Sequence, residues 1–451
     1  MRNSNEYASN HILSGVSAVK IIPAAGADSP RKLKLGNIGT RIFTVMNTSQ
    51  TAGAGNNRTY LNQIALEQHF DAIQLIYLNA ESSGYQIGDV AIGVSDGVDP
   101  LNPIAGSCIP VSFGGVTPTD ASPITLPAST GTAADPDFYF SDMMPMSSIA
   151  RTDGGVLPLL HVRTYYPSTA TSKTLAVFNS TAVSGSGAWG VSPPGGRIWK
   201  NQFKTGNFAT ITSGSVPTWT DSGDHIHSGL CGVRYLARGC VVTVMMIGDS
   251  TVHGMTSDNT TGVAVMGAGP VLRACHTVSD INSIAFQGAS CGVSAQTIAQ
   301  YYTRAVRLIP LFKPDIVMFE AGTQNSASIT QSAANLSANY TARVQQLCKD
   351  NGALCVLMTE LAKNSADGVS TYTAGQDTFR QAYNANLLAR VNKGILVVDV
   401  AGAISAGGLP APNKVGYVVT PQFGHPNDIG YDAMSIPIAA ELLRIKNANF
   451  Q

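Results

Sequence analysis

Five apolar runs of strand length separate longer amphipathic stretches in the C-terminal half of the chain, and this alternation constrains the fold strongly. A run that is apolar throughout is typical of a strand covered on both faces, as in a parallel sheet. The stretches between the runs have the length and pattern of helices. From about residue 239 onward, the sequence therefore predicts a doubly wound, flavodoxin-like α/β domain around a five-stranded parallel sheet.

The predicted elements of this domain alternate along the chain. The strands are expected at 241–247, 281–286, 316–321, 353–359 and 395–400, and the helices near 294–309, 330–350, 376–392 and 430–446. Pro314, Gly352 and Gly394 stand directly before the last three strands, where residues that end helices are expected.

Residues 36–238 follow a different pattern, in which short alternating segments are broken by clusters of Gly, Pro, Ser, Thr and Asn. That pattern is typical of an all-β sandwich, here expected to be jelly-roll-like. Its candidate strands are 41–46, 72–78, 90–94, 156–165 and 175–178. We therefore expect an N-terminal arm or irregular cap over 1–35, a β-sandwich accessory domain over 36–238 and the α/β domain over 239–451, which should keep its sheet without the sandwich.

Charge and hydropathy exclude several classes of partner. Lys plus Arg and Asp plus Glu both number 28, so no net charge is available to bind a nucleic acid or an anionic membrane. No apolar stretch reaches the roughly 18 residues that span a bilayer. The low charged fraction of 12% and the 45 glycines favour an extracellular or virion-associated protein, although the N-terminus does not resemble a signal peptide. The oligomeric state is left open.

The cysteines do not predict a metal site. They stand at positions 108, 231, 240, 275, 291, 348 and 355, without a CxxC pair or a Cys/His cluster at zinc-ligand spacing. We expect neither a metal nor another cofactor. Cys231 and Cys240 are candidates for a disulfide in an oxidising compartment.

Ligands bind at the carboxyl ends of the strands in an open parallel sheet, so the residues after each strand are the candidates for a site. The first strand is followed by a block that begins Gly248-Asp249-Ser250 and ends at Gly254. The second is followed by a block from Gly288 to Gly292, and the third by Gly322-Thr323-Gln324-Asn325. His425-Pro426-Asn427 stands near the end of the chain.

These blocks resemble those of the SGNH hydrolases, the GDSL-like esterase family, in the same order and over about residues 240–446. The resemblance implies a serine esterase with Ser250 as nucleophile and His425 as its base. A serine hydroxyl is a poor nucleophile until a base removes its proton. An imidazole titrates near neutrality and can return that proton to the leaving alcohol.

The family stabilises the oxyanion with the serine N–H, a glycine N–H and an asparagine side chain. The resemblance offers Gly292, which we prefer, or Gly288 as the glycine. Asp249, beside the nucleophile in the serine block, is a further candidate for oxyanion or substrate binding. An ungapped match places Gln324 on the asparagine, and a one-residue slip places Asn325 there. The family aspartate three residues before the histidine is replaced by Gln422, and Asp428 is a weaker substitute on spacing.

The expected function is hydrolysis of small acyl esters. By resemblance to family members that carry an added β-sandwich, the substrate class is O-acetyl groups on carbohydrate. A lipase is less favoured because no basic amphipathic docking helix is present, and a thioesterase stays open. The alternative from another class is a non-catalytic glycan-binding or virion adhesion protein with a degenerate site, which Gln422 favours.

Overall fold

The computed structural model is the basis of the description that follows. It describes residues 36–42, 45, 57–79, 84–96, 103–131, 135–167, 188–189, 199–209, 220–221, 229–254, 269–293, 296–320, 337–362, 374–391, 394–407, 413–414, 417–418 and 425–449. The predicted arm over 1–35 and the predicted strand over 175–178 lie outside these ranges.

The N-terminal half is rich in β-strands, as the sequence predicts. Its strands are β1 (Gly36–Ile42), β2 (Arg58–Ala65), β3 (Phe70–Asn79), β4 (Tyr85–Ile87), β5 (Val90–Ser95), β6 (Ile109–Pro110), β7 (Ile124–Leu126), β8 (Asp137–Phe140), β9 (Met144–Pro145), β10 (Leu159–Tyr166), β11 (Ala188–Trp189), β12 (Trp199–Thr205) and β13 (Thr220–Asp221). One sheet has the order β11-β12-β2-β10-β5-β6, with β13 paired to β12. Its Ile92 and Val162 share an apolar core with Leu75 of β3.

The long strand β14 (Leu230–Gly248) joins the two halves of the chain. Its first part pairs antiparallel with β1 on one edge and with β3 on the other. Its second part pairs parallel with β15 (Ile284–Gly292) and β16 (Ile316–Glu320). The sheet is therefore mixed. The predicted boundary between residues 238 and 239 falls inside β14, so it does not separate two sheets.

The remaining elements follow β14 in an alternating order. They are α1 (Ser250–His253), α2 (Pro270–Val278), α3 (Ile298–Phe312), a π-helical turn (Ser337–Thr341), α4 (Ala342–Asp350), β17 (Leu354–Met358), α5 (Ala374–Leu388), β18 (Leu396–Val398), α6 (Val400–Ile404) and α7 (Asp428–Asn449). The parallel strands pair in the order β15-β14-β16-β17-β18.

Helices cover both faces of this parallel part. Met245 and Ile247 of β14 contribute to a core that includes Leu308 of α3. Val244 and Met246 point to the other face and contribute to a core shared with α2 and α7. This alternation follows from the period of two along a strand, and it explains why the run from residue 241 to 248 is buried throughout and, apart from Thr243, has no polar side chain.

Two of the elements that differ from the sequence-based prediction are β15 and α2. The strand predicted over 281–286 is β15, which begins later, at Ile284, and continues to Gly292. The helix α2 is absent from the predicted set. Pro270 occupies its first turn after Gly269 as N-cap, an arrangement that favours helix initiation.

The disulfide suggested for Cys231 and Cys240 is wrong. Both residues lie on β14, so the extended backbone holds them about 30 Å apart. A disulfide requires Cα atoms within about 7 Å. All seven cysteines are free thiols in the structure.

Candidate active site

The chain turns sharply at the carboxyl end of β14 and begins the short helix α1 with Ser250. Asp249 is the N-cap of this helix, and its Oδ1 accepts a hydrogen bond of 2.8 Å from the N–H of Thr251. Gly254 ends the helix with φ 78°, a left-handed conformation that glycine adopts without strain. The turn therefore brings Ser250 to the edge of the sheet where ligands bind in open α/β folds.

Ser250 and His425 are hydrogen-bonded in the structure. Ser250 Oγ lies 2.7 Å from Nε2 of His425, although the two residues are 175 positions apart in the chain. The serine is buried, with 3% of its surface exposed, and the histidine is half-buried. This distance allows the imidazole to take the hydroxyl proton directly.

Local structure on both sides holds His425 in place. Pro426 forms an isolated β-bridge with Val418, and the N–H of Asn427 donates to the carbonyl of Tyr417 over 3.1 Å. Asn427 Oδ1 accepts a hydrogen bond of 3.0 Å from the N–H of Gly430, which caps the beginning of α7. The HPN block is therefore a helix-capping turn that presents the imidazole.

The two candidate glycines lie at different heights on β15. Gly292 is the register partner of Gly248, at the same edge as the nucleophile turn. Gly288 is the partner of Val244, deeper in the strand, where an added Cβ would lie 2.3 Å from Leu272 Cδ2 of α2. Gly292 is thus located beside the serine turn, and Gly288 is located at a helix–strand contact.

Three acidic side chains lie buried behind the nucleophile turn, and the sequence analysis noted only one of them. Asp249, Glu320 and Glu360 are 1%, 6% and 2% exposed. Burial, together with the negative charges of Asp249 and Glu360, raises the pKa of Glu320 well above its ordinary value. The one available signal was the charged residue at the end of the apolar run over 316–321. Glu320 therefore keeps its proton to a higher pH than an exposed glutamate does.

A basic side chain faces the same region from α3. Arg304 is 2% exposed, and its Nη2 donates a hydrogen bond of 3.0 Å to the carbonyl oxygen of Gly248. Burial lowers the pKa of Arg304 to about 10. At neutral pH it therefore stays charged, and it places a positive charge beside the buried acids.

A model of the GDSL-like lipase/acylhydrolase family matches residues 246–433, from the end of β14 into α7. This segment is a GDSL-like acylhydrolase domain. The acylhydrolase domain includes both Ser250 and His425, so the resemblance inferred from the GDS and HPN blocks is confirmed. The match supports a hydrolase of ester substrates.

Solved structures similar to the chain include several proteins of the same family. A protein of the lipolytic G-D-S-L family from Desulfitobacterium hafniense is 18% identical, with a TM-score of 0.35, over 44% of this chain and 98% of its own. A GDSL-like lipase from Bacteroides thetaiotaomicron is 19% identical, with a TM-score of 0.32, over 45% and 88%. The psychrotrophic esterase EstA from Pseudoalteromonas sp. is 15% identical, with a TM-score of 0.33, over 46% and 98%. No curated protein matches the chain.

Several predicted site residues fall outside the described part of the chain. Gln324, Asn325 and Gln422 lie in such segments. Asp428 is the first residue of α7, and its side chain is not described. The oxyanion amide and the third member of the triad therefore stay predictions.

The residues that the structure describes show two further features. Their His, Cys, Asp and Glu side chains do not form a group of three that could hold a metal ion. Among their helices, none combines the length and the apolar character needed to cross a bilayer.

Proposed function

We propose that the protein is a serine esterase that acts through an acyl-enzyme on Ser250, with His425 as base. The observation that carries this proposal is the 2.7 Å distance between Ser250 Oγ and His425 Nε2 inside an acylhydrolase domain. Oγ attacks the ester carbonyl carbon while its proton moves to Nε2. The C–O bond to the alcohol then breaks, and the alcohol leaves with that proton. Water, deprotonated by the same imidazole, hydrolyses the acyl-enzyme and frees Ser250.

The oxyanion of the tetrahedral intermediate requires preorganised donors. We assign this role to the backbone N–H groups of Ser250 and Gly292 and to the side-chain amide of Gln324 or Asn325. The register of Gly292 with Gly248, at the level of the nucleophile turn, supports the choice of Gly292 over Gly288. Gln422 or a backbone carbonyl is proposed to orient the imidazole of His425.

For the substrate, we propose an O-acetyl group or another small acyl group on a carbohydrate. The equal numbers of acidic and basic residues suit an uncharged substrate. We further propose that the parallel strands and their helices form a doubly wound catalytic core and that the β-rich N-terminal region, a jelly-roll-like sandwich, contributes to targeting. An extracellular or virion location fits the low charged fraction of 12%.

The test is hydrolysis of a chromogenic acetate ester by the full chain, with Ser250→Ala as the control. We expect turnover by the natural sequence and a loss of about 10⁴-fold or more in the variant. Equal rates of hydrolysis for the two proteins would show that Ser250 is not the nucleophile. Loss of activity on treatment with EDTA, restored by zinc, would point to a different mechanism.

A second candidate function is glycan binding without catalysis, because Gln422 stands where the family has an aspartate. The hydrogen bond between Ser250 and His425 favours the esterase, since binding alone does not require a base at the serine hydroxyl. Absence of turnover on every small acyl ester, combined with glycan binding, would favour this second function.

A further inference from the structure

The peptide unit between Gly248 and Asp249, one unit before the one that carries the Ser250 N–H, is held at both of its polar ends. Its carbonyl oxygen, that of Gly248, accepts hydrogen bonds of 3.0 Å from Arg304 Nη2 and 3.0 Å from the N–H of Val293. Its N–H, that of Asp249, donates a hydrogen bond of 2.8 Å to Glu320 Oε2. Because a peptide unit is planar and rigid, these contacts together fix its orientation.

The carboxyl group of Glu320 approaches the backbone very closely at this point. A Cβ at position 248 would lie 2.3 Å from Glu320 Oε2 and 2.6 Å from Glu320 Cβ. Only glycine leaves room for this contact. The close approach therefore makes the glutamate part of the support for the turn.

We infer that Glu320 is a positioning residue. Together with Arg304, which binds the other polar end of the same peptide unit, it orients the Gly248–Asp249 peptide and through it the nucleophile. This inference rests on the proposed role of Ser250. The next peptide unit carries the Ser250 N–H, which is the proposed oxyanion donor. A rotation of the Gly248–Asp249 peptide would therefore move both the donor and the serine hydroxyl. Displacements of about 1 Å are enough to lower a rate about 100-fold.

The protonated form of Glu320 fits this role better than the ionised form. Its carboxyl group is hydrogen-bonded to the side chain of Asp249, and two carboxyl groups can share such a bond only if one of them holds a proton. Burial and the charges of Asp249 and Glu360 raise the pKa of Glu320. Arg304 and Tyr301 face the same region from α3.

The sign of the pH effect follows from the raised pKa. Below the pKa of Glu320 in the folded protein, the proton is present and the turn is held. Above that pKa, a second negative charge faces Asp249, so the two carboxylates repel and the turn is displaced. The inference therefore predicts that the turnover number falls at alkaline pH and that this fall belongs to Glu320.

The experiment compares Glu320→Gln, Glu320→Leu and Asp315→Asn in the full chain, by turnover number and KM on one small acetate ester between pH 5 and 10. Asp315 is a matched control, because it directly precedes β16, the strand that ends at Glu320, and its Oδ2 likewise accepts a backbone N–H, that of Thr243, over 2.7 Å. Glutamine can accept from the Asp249 N–H and donate to the Asp249 carboxylate, so it imitates the protonated acid.

We expect Glu320→Gln to keep at least about half of the turnover number at pH 7 and to lose the alkaline fall. Glu320→Leu should lose about 100-fold in turnover number with KM changed by less than about threefold. Asp315→Asn should keep the natural profile. An alkaline fall that persists unchanged in Glu320→Gln would overturn the inference, even if Glu320→Leu fails to fold.

This result is distinguishable from failure of the proposed function. If Ser250→Ala and the natural sequence hydrolyse the ester at equal rates, the esterase proposal has failed. If Ser250→Ala is inactive while Glu320→Gln keeps the natural pH profile, only the role of Glu320 is wrong.

Discussion

Gln422 stands three residues before His425, where the family carries an aspartate. At that position an aspartate fixes the imidazole tautomer and stabilises the imidazolium ion. A glutamine can do only the first, and only if its carbonyl oxygen accepts the Nδ1 proton. If its amide group donated to the ring instead, the wrong nitrogen would carry the proton and the rate would fall by about 10⁴-fold. We expect the carbonyl to face the ring, or a backbone carbonyl to replace it.

Three single variants test this expectation through the turnover number on one ester at one pH. Gln422→Ala should lower the turnover number only modestly, because the charge contribution is already absent. His425→Ala should lower it by several orders of magnitude, because no base remains. Gln422→Asp should preserve or raise it. An alanine variant as inactive as His425→Ala would show that Gln422 is indispensable and that the dyad account is wrong.

Asp315 gives a prediction about stability and pH. Burial raises the pKa of Asp315 to about 6 in the folded protein. The folded state therefore binds a proton that the unfolded state has already released, and stability falls as pH rises from about 4 to about 6. Asp315→Asn removes this contribution. Its Tm should depend less on pH than that of the natural sequence across this window, as measured by thermal unfolding at each pH. Parallel Tm profiles for the two proteins would contradict the prediction.

The sequence predicts those residues of the candidate site that belong to short local sequence blocks. Ser250 and His425 each stand in a recognisable block, so both could be found before their 2.7 Å contact was known. The choice between Gly292 and Gly288 needed the register of β15 against β14. Glu320 and Arg304 could not be predicted as partners, because the peptide unit they hold is distant from both in sequence.

The contact between β15 and α2 shows how an element can depend on one small residue. Gly288 faces Leu272 of α2, and an added Cβ would lie 2.3 Å from Leu272 Cδ2. Gly288→Ala should therefore destabilise the fold by about 1–3 kcal/mol through overpacking. The turnover number of the folded variant should be unchanged, because Gly288 lies below the edge that carries Ser250.

Gly375→Ala is the matched control for this prediction, since an added Cβ there meets no atom within 4 Å. Denaturant unfolding and kinetics on a small ester measure both effects. A Gly288→Ala protein with natural stability but little activity would indicate that Gly288, and not Gly292, donates to the oxyanion.

The parallel strands were predictable as elements because each contains a largely apolar run of strand length, whereas the length of β14 was not predictable. Its first part is partly exposed near Arg238 and Gly239, and its second part is buried throughout. The pattern therefore changes within one strand, at the place where its partners change from antiparallel to parallel. The predicted domain boundary between residues 238 and 239 lies at this change and stays a prediction.

The N-terminal half and the acylhydrolase domain are joined by side-chain contacts as well as by strand β14. The core beneath α3 contains Ile42, Ile76 and Cys231 from β1, β3 and the first part of β14, together with Met245 and Ile247 from the second part of β14. Polar contacts cross the same junction. Tyr235 Oη donates to Gln287 Oε1 over 2.9 Å, and the N–H of Glu67 donates to the same oxygen over 3.2 Å.

Residues 240–451 expressed alone should therefore be insoluble or unfold without cooperativity, because removal of the N-terminal half exposes this shared core. The sequence-based expectation that the α/β half keeps its sheet unaided is the opposite outcome of this test. The full chain should unfold in one transition. Solubility and thermal unfolding of the two proteins are the measurement, and a soluble fragment with the natural specific activity would show that the junction is dispensable.

Covalent labelling with a phosphonate ester tests the central claim most directly, since acyl transfer through Ser250 requires a nucleophilic hydroxyl there. The full chain, His425→Ala and Ser250→Ala are each treated, and the modified residue is identified by intact mass and peptide mapping. We expect one adduct per chain, on Ser250. It should form much more slowly in His425→Ala and be absent from Ser250→Ala. Stoichiometric labelling of another serine, or equal labelling with and without His425, would contradict it.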